Sequence, residues 1–239
     1  MLVRDTCLEV RWELALIVSK WIIFLLVLSH IVIVAAEAPP TVLFLGDSLT
    51  AGYTLPIHNA YPALVQDRMG SENIRVINAG VSGDTSFTLL NRLPMALATS
   101  PNMVFLCIGA NDGLRGTPTA SIYSTINQII VSIKRQGIPV ALAGMSLPSN
   151  YTESYINDFE AIFPRLADNH KLSYMPFLLN NVAGVPTLNL SDRIHPNKDG
   201  HRIIAKQVTE FLERTPLFLN ATKQIHAKEA PAAVNAPKK

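Results

Sequence analysis

From Thr41 onward, short apolar runs alternate with longer stretches whose apolar positions recur at helical spacing. TVLFLG (41–46), IRVIN (74–78), MVFLCIG (103–109), IPVALAG (138–144) and LSYMPF (172–177) are each bounded by Gly, Pro or Asn. Such runs predict buried strands. The segments between them predict helices over about 60–69, 85–98, 118–136, 153–169 and 197–213. The clearest is 118–136, where Ile122, Ile126, Ile129, Ile130 and Ile133 share one face. Thr117 is placed to cap it, Pro118 suits its first turn and Gly137 its exit. Strands alternating with helices predict an α/β fold, a three-layer α/β/α sandwich around a five-stranded parallel sheet. Right-handed crossovers then bring every strand C-terminus to one edge, where such sheets bind ligands.

The first forty residues break this pattern. WIIFLLVLSHIVIVAA (21–36) follows Lys20 and carries no formal charge. As a helix it would rise about 24 Å, short of a hydrocarbon core of about 30 Å. A basic flank, an apolar core and then Ala35, Ala36 and Ala38 follow the order of a secretory signal peptide. The segment before Lys20 is long for such a peptide and holds Asp5, Glu9 and Glu13, so a retained N-terminal anchor is the competing reading. The organisation expected is a signal peptide or anchor over 1–38, an α/β domain over 39–216 and a disordered tail over 217–239, rich in Ala, Pro and Lys. Removal of the signal places the protein in the periplasm or outside the cell; its retention, at the inner membrane.

Composition narrows the function. Of 239 residues, 49% are hydrophobic and 16% charged, which supports a sizeable core. A net charge of +2 without clustered Lys or Arg gives no argument for a nucleic-acid partner. Two cysteines, Cys7 and Cys107, exclude a disulfide scaffold, and no metal-ligand spacing occurs. Cys107 reads as a core residue of an apolar strand.

Four strand-end segments carry polar residues suited to chemistry. Gly46-Asp47-Ser48-Leu49 follows the first strand, and either Asp47 or Ser48 could simply cap a helix there. Asn78-Ala79-Gly80-Val81-Ser82-Gly83-Asp84-Thr85 offers backbone N–H groups to an anion, or an ordinary turn. Asn111, in Gly109-Ala110-Asn111-Asp112-Gly113, could point an amide into the same cleft or close the strand in an Asx turn. Asp192 and His195, three residues apart before the last helix, have a spacing that can join a carboxylate to an imidazole.

Together these segments resemble the four blocks of the SGNH hydrolase superfamily, also called the GDSL family: GDSLTAGY (46–53), NAGVSGDTS (78–86), GANDG (109–113) and DRIHPN (192–197). They stand in family order over about 41–213, and NDGLRG (111–116) and LPSNY (147–151) bring the chain nearest the bacterial arylesterase and thioesterase I/lysophospholipase L1 group. The resemblance implies a flavodoxin-like fold and ester hydrolysis without metal or organic cofactor. It implies Ser48 as nucleophile, His195 as base, Asp192 as its orienter, and Ser48, Gly83 and Asn111 as oxyanion-hole donors. Gly80 is the less favoured glycine. The order Ser, Asp, His matches that of an α/β-hydrolase, but the absence of G-x-S-x-G and the near-adjacent Asp192 and His195 count against that fold.

Leu114, Leu147, Pro148, Tyr151 and Tyr155 are candidates for an acyl groove. Asp47, Asp112 and Arg115 are expected to brace loops; the alternatives are direct catalytic work for the two carboxylates and contact with a polar substrate head group for Arg115. His58 is expected near the entrance, with His170 and His201 on the surface. The substrate expected is a small acyl ester or thioester, lysophospholipids included, met by a monomer. Rival readings are a carbohydrate O-acetyl esterase and a binding protein with a retired site.

Overall fold

The computed structural model describes residues 38–219. The segment preceding Ala38, with Cys7, and the tail beyond residue 219 lie outside the described residues. Five strands form one all-parallel sheet: β1 (Thr41–Gly46), β2 (Arg75–Gly80), β3 (Met103–Cys107), β4 (Val140–Ala143) and β5 (Ser173–Met175). Their order in the sheet is β2-β1-β3-β4-β5. β1, β3 and β4 are buried along their whole length, as their unbroken apolar sequences require. The edge strands β2 and β5 are only partly buried.

The helices that connect and follow the strands include α1 (Ser48–Ala51), α2 (Tyr61–Met69), α3 (Ser86–Leu97), α4 (Ala110–Leu114), α5 (Thr119–Arg135), α6 (Glu153–Glu160), α7 (Ile162–His170) and α8 (Lys198–Leu212). α2 packs with α8, and α3 and α7 each pack with α5, so the sheet lies within a three-layer α/β/α sandwich. α5 buries the five isoleucines that its sequence aligns. Among the described residues no helix is long and apolar enough to cross a membrane.

Among the boundaries that differ from expectation, three have a clear physical reason. The helix predicted over 153–169 is two helices that part at Ala161. Pro164 has no N–H to return to the Glu160 carbonyl, so the helical ladder cannot run through. α5 starts at Thr119, its N-cap is Pro118, and Thr117 stands one residue too early to cap it. β2 runs past Asn78 to Gly80, because Ala79 and Gly80 still pair with Leu45 and Gly46 of β1.

The chain enters the sheet at β1, crosses to β2 on one side, and returns to β3 on the other. The strand order therefore reverses between β1 and β3. Loops leaving neighbouring strands diverge at such a point and open a crevice. Ser48 follows β1 there, and Asn111 follows β3.

Candidate active site

Asp47 caps α1, its Oδ1 accepting the Leu49 N–H at 3.0 Å. The Ser48 carbonyl accepts from both Gly52 and Tyr53, so the backbone that carries the serine hydroxyl is fixed on both sides. β2 lies against this turn. A Cβ at Gly80 would stand 2.3 Å from the Ala51 nitrogen, so only glycine admits that approach.

Ser48 Oγ lies 2.9 Å from His195 Nε2, and His195 Nδ1 lies 2.8 Å from Asp192 Oδ2. Asp192 Oδ1 accepts the backbone N–H groups of Ile194 and His195 at 2.9 and 3.0 Å. Burial alone would raise the Asp192 carboxyl, but these two N–H groups and the imidazole outweigh it and hold the group below its ordinary value. Asp192 is therefore ionised and only accepts. Nδ1 carries the imidazole proton, and Nε2 is left to accept from the serine. The loop holding both residues is closed by an antiparallel bridge between Asn189 and Pro196, and Asn189 Nδ2 donates to the Val182 and Val185 carbonyls.

Gly83 sits at φ 86°, a left-handed conformation with open space around its α-carbon. Among the described residues neither the Ser48 nor the Gly83 amide N–H has an acceptor. Asn111 Nδ2 donates one hydrogen to the Asp84 carbonyl at 2.9 Å. That bond sets the amide's orientation and leaves its second N–H free for another acceptor. Asp112 accepts the Ser86 N–H and hydroxyl at 2.8 and 2.7 Å, and Arg115 donates to the Gly83 carbonyl at 3.3 Å. Both residues brace the loop between β2 and α3.

Residues that the sequence did not single out complete the setting. Tyr53 lies over the His195 ring with centroids 4.3 Å apart. Arg92 Nε meets Asp84 Oδ2 at 2.6 Å, and its Nη2 donates to the Gly46 and Ala79 carbonyls, tying α3 to the ends of β1 and β2. Asp84, Thr88 and Arg92 recur at four-residue spacing, which places them along one helical face and was a legible signal. For Tyr53 no comparable signal exists.

A cleft of about 490 Å³ opens beside Ser48 and His195. Leu114, Leu147 and Pro148 line it, joined by Met145, Phe177 and Leu179. Tyr151 and Tyr155 do not: their hydroxyls donate to the Leu114 and Thr117 carbonyls, both at 2.7 Å, and so brace the wall from behind. His58 is exposed and stands outside the lining, hydrogen-bonded to Asn59. His170 is half-buried against Asn127 and lines a separate cavity with Lys134 and Leu172.

His201 is a correction, for it is buried and not on the surface. Its Nδ1 accepts the Tyr61 N–H at 3.0 Å, satisfying the first turn of α2 from a residue 140 positions later. Burial first, and then the His195 charge, lower its pKa to about 4, which keeps it neutral and an acceptor. Cys107 is buried, with its Sγ 3.9 Å from Met145 Sδ, and burial pushes the thiol well up.

Asp47 is 1% exposed, and its Oδ2 has no partner among the described residues. Burial raises its pKa to about 7 against the opposing Leu49 hydrogen bond, with help from the charges of Asp84 and Asp112. Between about 3.8 and 7 the folded chain thus binds a proton that the unfolded chain has released. Stability at this site falls as pH rises through that window and is level above it. The cost at pH 8 has a ceiling of about 4 kcal/mol. Asp47→Asn keeps an oxygen for Leu49 and removes the charge. Its melting temperature should exceed that of wild type by several degrees at pH 8 and by clearly less at pH 5; equal gains at both would refute the argument.

Comparison with known proteins supplies the family. Residues 44–203 match the GDSL-like Lipase/Acylhydrolase family. The chain belongs to that family. It is a carboxylic ester hydrolase built on the SGNH sandwich. It is 37% identical over 190 residues to an arylesterase of Vibrio mimicus, covering 78% of this chain and 95% of that protein. It is 38% identical over 204 residues to Thioesterase 1/protease 1/lysophospholipase L1 of Escherichia coli K12, covering 85% and 93%. The crystal structure of the psychrotrophic esterase EstA from Pseudoalteromonas sp., inhibited by monoethylphosphonate, aligns with a TM-score of 0.71 at 31% identity, covering 76% of this chain and 99% of that one.

Proposed function

We propose that this family member hydrolyses acyl esters and thioesters through an acyl-enzyme on Ser48. The observation that carries the reading is the unbroken relay from Ser48 Oγ to His195 Nε2, and from Nδ1 to Asp192 Oδ2, at 2.9 and 2.8 Å. His195 takes the Ser48 proton as Oγ attacks the carbonyl carbon, and returns it to the departing alcohol or thiol. Asp192 fixes the imidazole tautomer and stabilises the imidazolium. The carbonyl oxygen, now negative, is met by the Ser48 and Gly83 N–H groups and the Asn111 amide. Water then attacks the acyl-enzyme with His195 again as base, releasing the acid and restoring Ser48. Tyr53 covers the imidazole and limits its movement between these steps.

Leu114, Leu147 and Pro148 receive the acyl chain in this reading, with Met145, Phe177 and Leu179. The relatives' names, arylesterase and thioesterase/lysophospholipase, support aryl ester, thioester and lysophospholipid substrates. A basic flank, an apolar core and the small residues Ala35, Ala36 and Ala38 support export to the periplasm or beyond.

The test is a series of p-nitrophenyl acetate, butyrate and decanoate with a long acyl-CoA alongside, combined with fluorophosphonate labelling mapped by peptide mass. Turnover rising from acetate to longer chains, with label on Ser48, is expected. Acetate turnover alone would reject the apolar groove, and label elsewhere would reject the nucleophile.

A further inference from the structure

Arg193 stands between the two relay residues of the Asp192–His195 turn, and its backbone is unusual. Its φ is 60°, a left-handed conformation that glycine adopts freely and a residue with a Cβ adopts at a cost. Nothing inside the protein repays that cost through the side chain. The Arg193 guanidinium has no hydrogen bond or ion pair among the described residues; only its backbone N–H is engaged, with the Leu190 carbonyl. The neighbouring Asp192 is committed to His195 and to two backbone N–H groups.

Arg193 nevertheless lines the cleft beside His195, and among the described residues it is the only Lys or Arg that does so. The one carboxyl on the same lining, Asp47, is buried, engaged with Leu49, and has its pKa raised to about 7 by burial. The remaining wall is largely apolar, while Arg193 itself is exposed. A strained backbone thus presents an unpaired, planar, two-pronged cation to the space that substrate enters.

We propose that Arg193 makes this cleft a receptor for an acidic group, a carboxylate or a phosphate, carried by the ester itself. The inference rests on the ester-hydrolase reading above and adds the class of substrate: amphiphilic esters or thioesters bearing anionic oxygens close to the scissile carbonyl. A bidentate pair between guanidinium and those oxygens supplies the affinity. The apolar wall supplies chain binding. Arg193 touches no reacting atom and is a specificity residue.

Two matched pairs of substrates test this with the full-length chain. Mono-4-nitrophenyl glutarate against 4-nitrophenyl pentanoate places the charge on the acyl side. Hexanoyl glycerol 3-phosphate against 1-hexanoylglycerol places it on the leaving-group side. Arg193→Gly suits φ 60° and so keeps the fold, which a thermal melt verifies. Arg193→Lys retains the charge without the fork. The ratio of kcat/KM for the charged over the neutral member should fall about tenfold in Arg193→Gly, chiefly through KM. It should recover in part in Arg193→Lys.

A fall in the glutarate pair alone puts the anion on the acyl side, and a fall in the phosphate pair alone puts it on the leaving group; either supports the receptor. Ratios unmoved in both pairs overturn it, while neutral esters are still hydrolysed. Failure of the wild-type chain on all four substrates would instead overturn the hydrolase reading on which it stands.

Discussion

Ser48→Ala is expected to lower kcat by about a millionfold and to leave the folded chain in place. The two effects separate because the Ser48 backbone and side chain do different things. Its carbonyl holds Gly52 and Tyr53, and Asp47 caps the turn independently of the hydroxyl. Alanine keeps all of this and removes only the bond to His195, which contributes about 1 kcal/mol to stability. What disappears is the atom that forms the acyl-enzyme. A residual rate above water should persist, since the Ser48 and Gly83 N–H groups and the Asn111 amide still meet the oxyanion. Ester turnover, fluorophosphonate titration and a thermal melt together check this. Turnover within a hundredfold of wild type, or undiminished phosphonylation, would remove Ser48 from the mechanism.

Asp192→Asn should lower kcat by about 10³- to 10⁴-fold, and by more than Asp192→Ala does. The direction follows from which oxygen accepts what. Oδ1 serves the Ile194 and His195 backbone N–H groups, and Oδ2 serves His195 Nδ1. An asparagine must turn its oxygen to the two N–H donors, so its NH₂ faces Nδ1. Nδ1 becomes the acceptor, the ring proton moves to Nε2, and the nitrogen facing Ser48 can no longer take a proton. Alanine imposes no wrong tautomer, and the Asp192 side chain is 37% exposed, so water can enter and support the proper one. The measurement is kcat for both variants at one pH near 8. An asparagine variant as active as the alanine variant would contradict the tautomer argument.

The sheet was legible because buried parallel strands are nearly continuous apolar runs: TVLFLG and MVFLC could belong to little else. The same reading placed Ser48, Gly83, Asn111, Asp192 and His195 at one edge. It missed interactions that form only when distant segments meet. His201 lies on the buried face of α8, yet nothing nearby in sequence announces that it will cap α2 through the Tyr61 N–H. The Tyr151 and Tyr155 hydroxyls turn from the cleft to carbonyls of Leu114 and Thr117, a choice settled by the packing of α6. The break at Ala161 was visible in principle through Pro164, but apolar periodicity alone carries across it.

Ser48 rides on the end of β1, beside the centre of the sheet, whereas Asp192 and His195 ride on a loop held by the Asn189–Pro196 bridge, by turn hydrogen bonds and by the amides of Asn189 and Asn197, without strand pairing into the sheet. The two halves of the relay thus belong to regions of unequal local stability. Opening the loop costs a few hydrogen bonds, while opening the sheet costs the whole core. Heat or denaturant would therefore silence the enzyme while its scaffold is still intact, and cooling would restore it without any refolding. The expected consequence is an equilibrium between a closed, competent state and an open, idle one that share the same sheet.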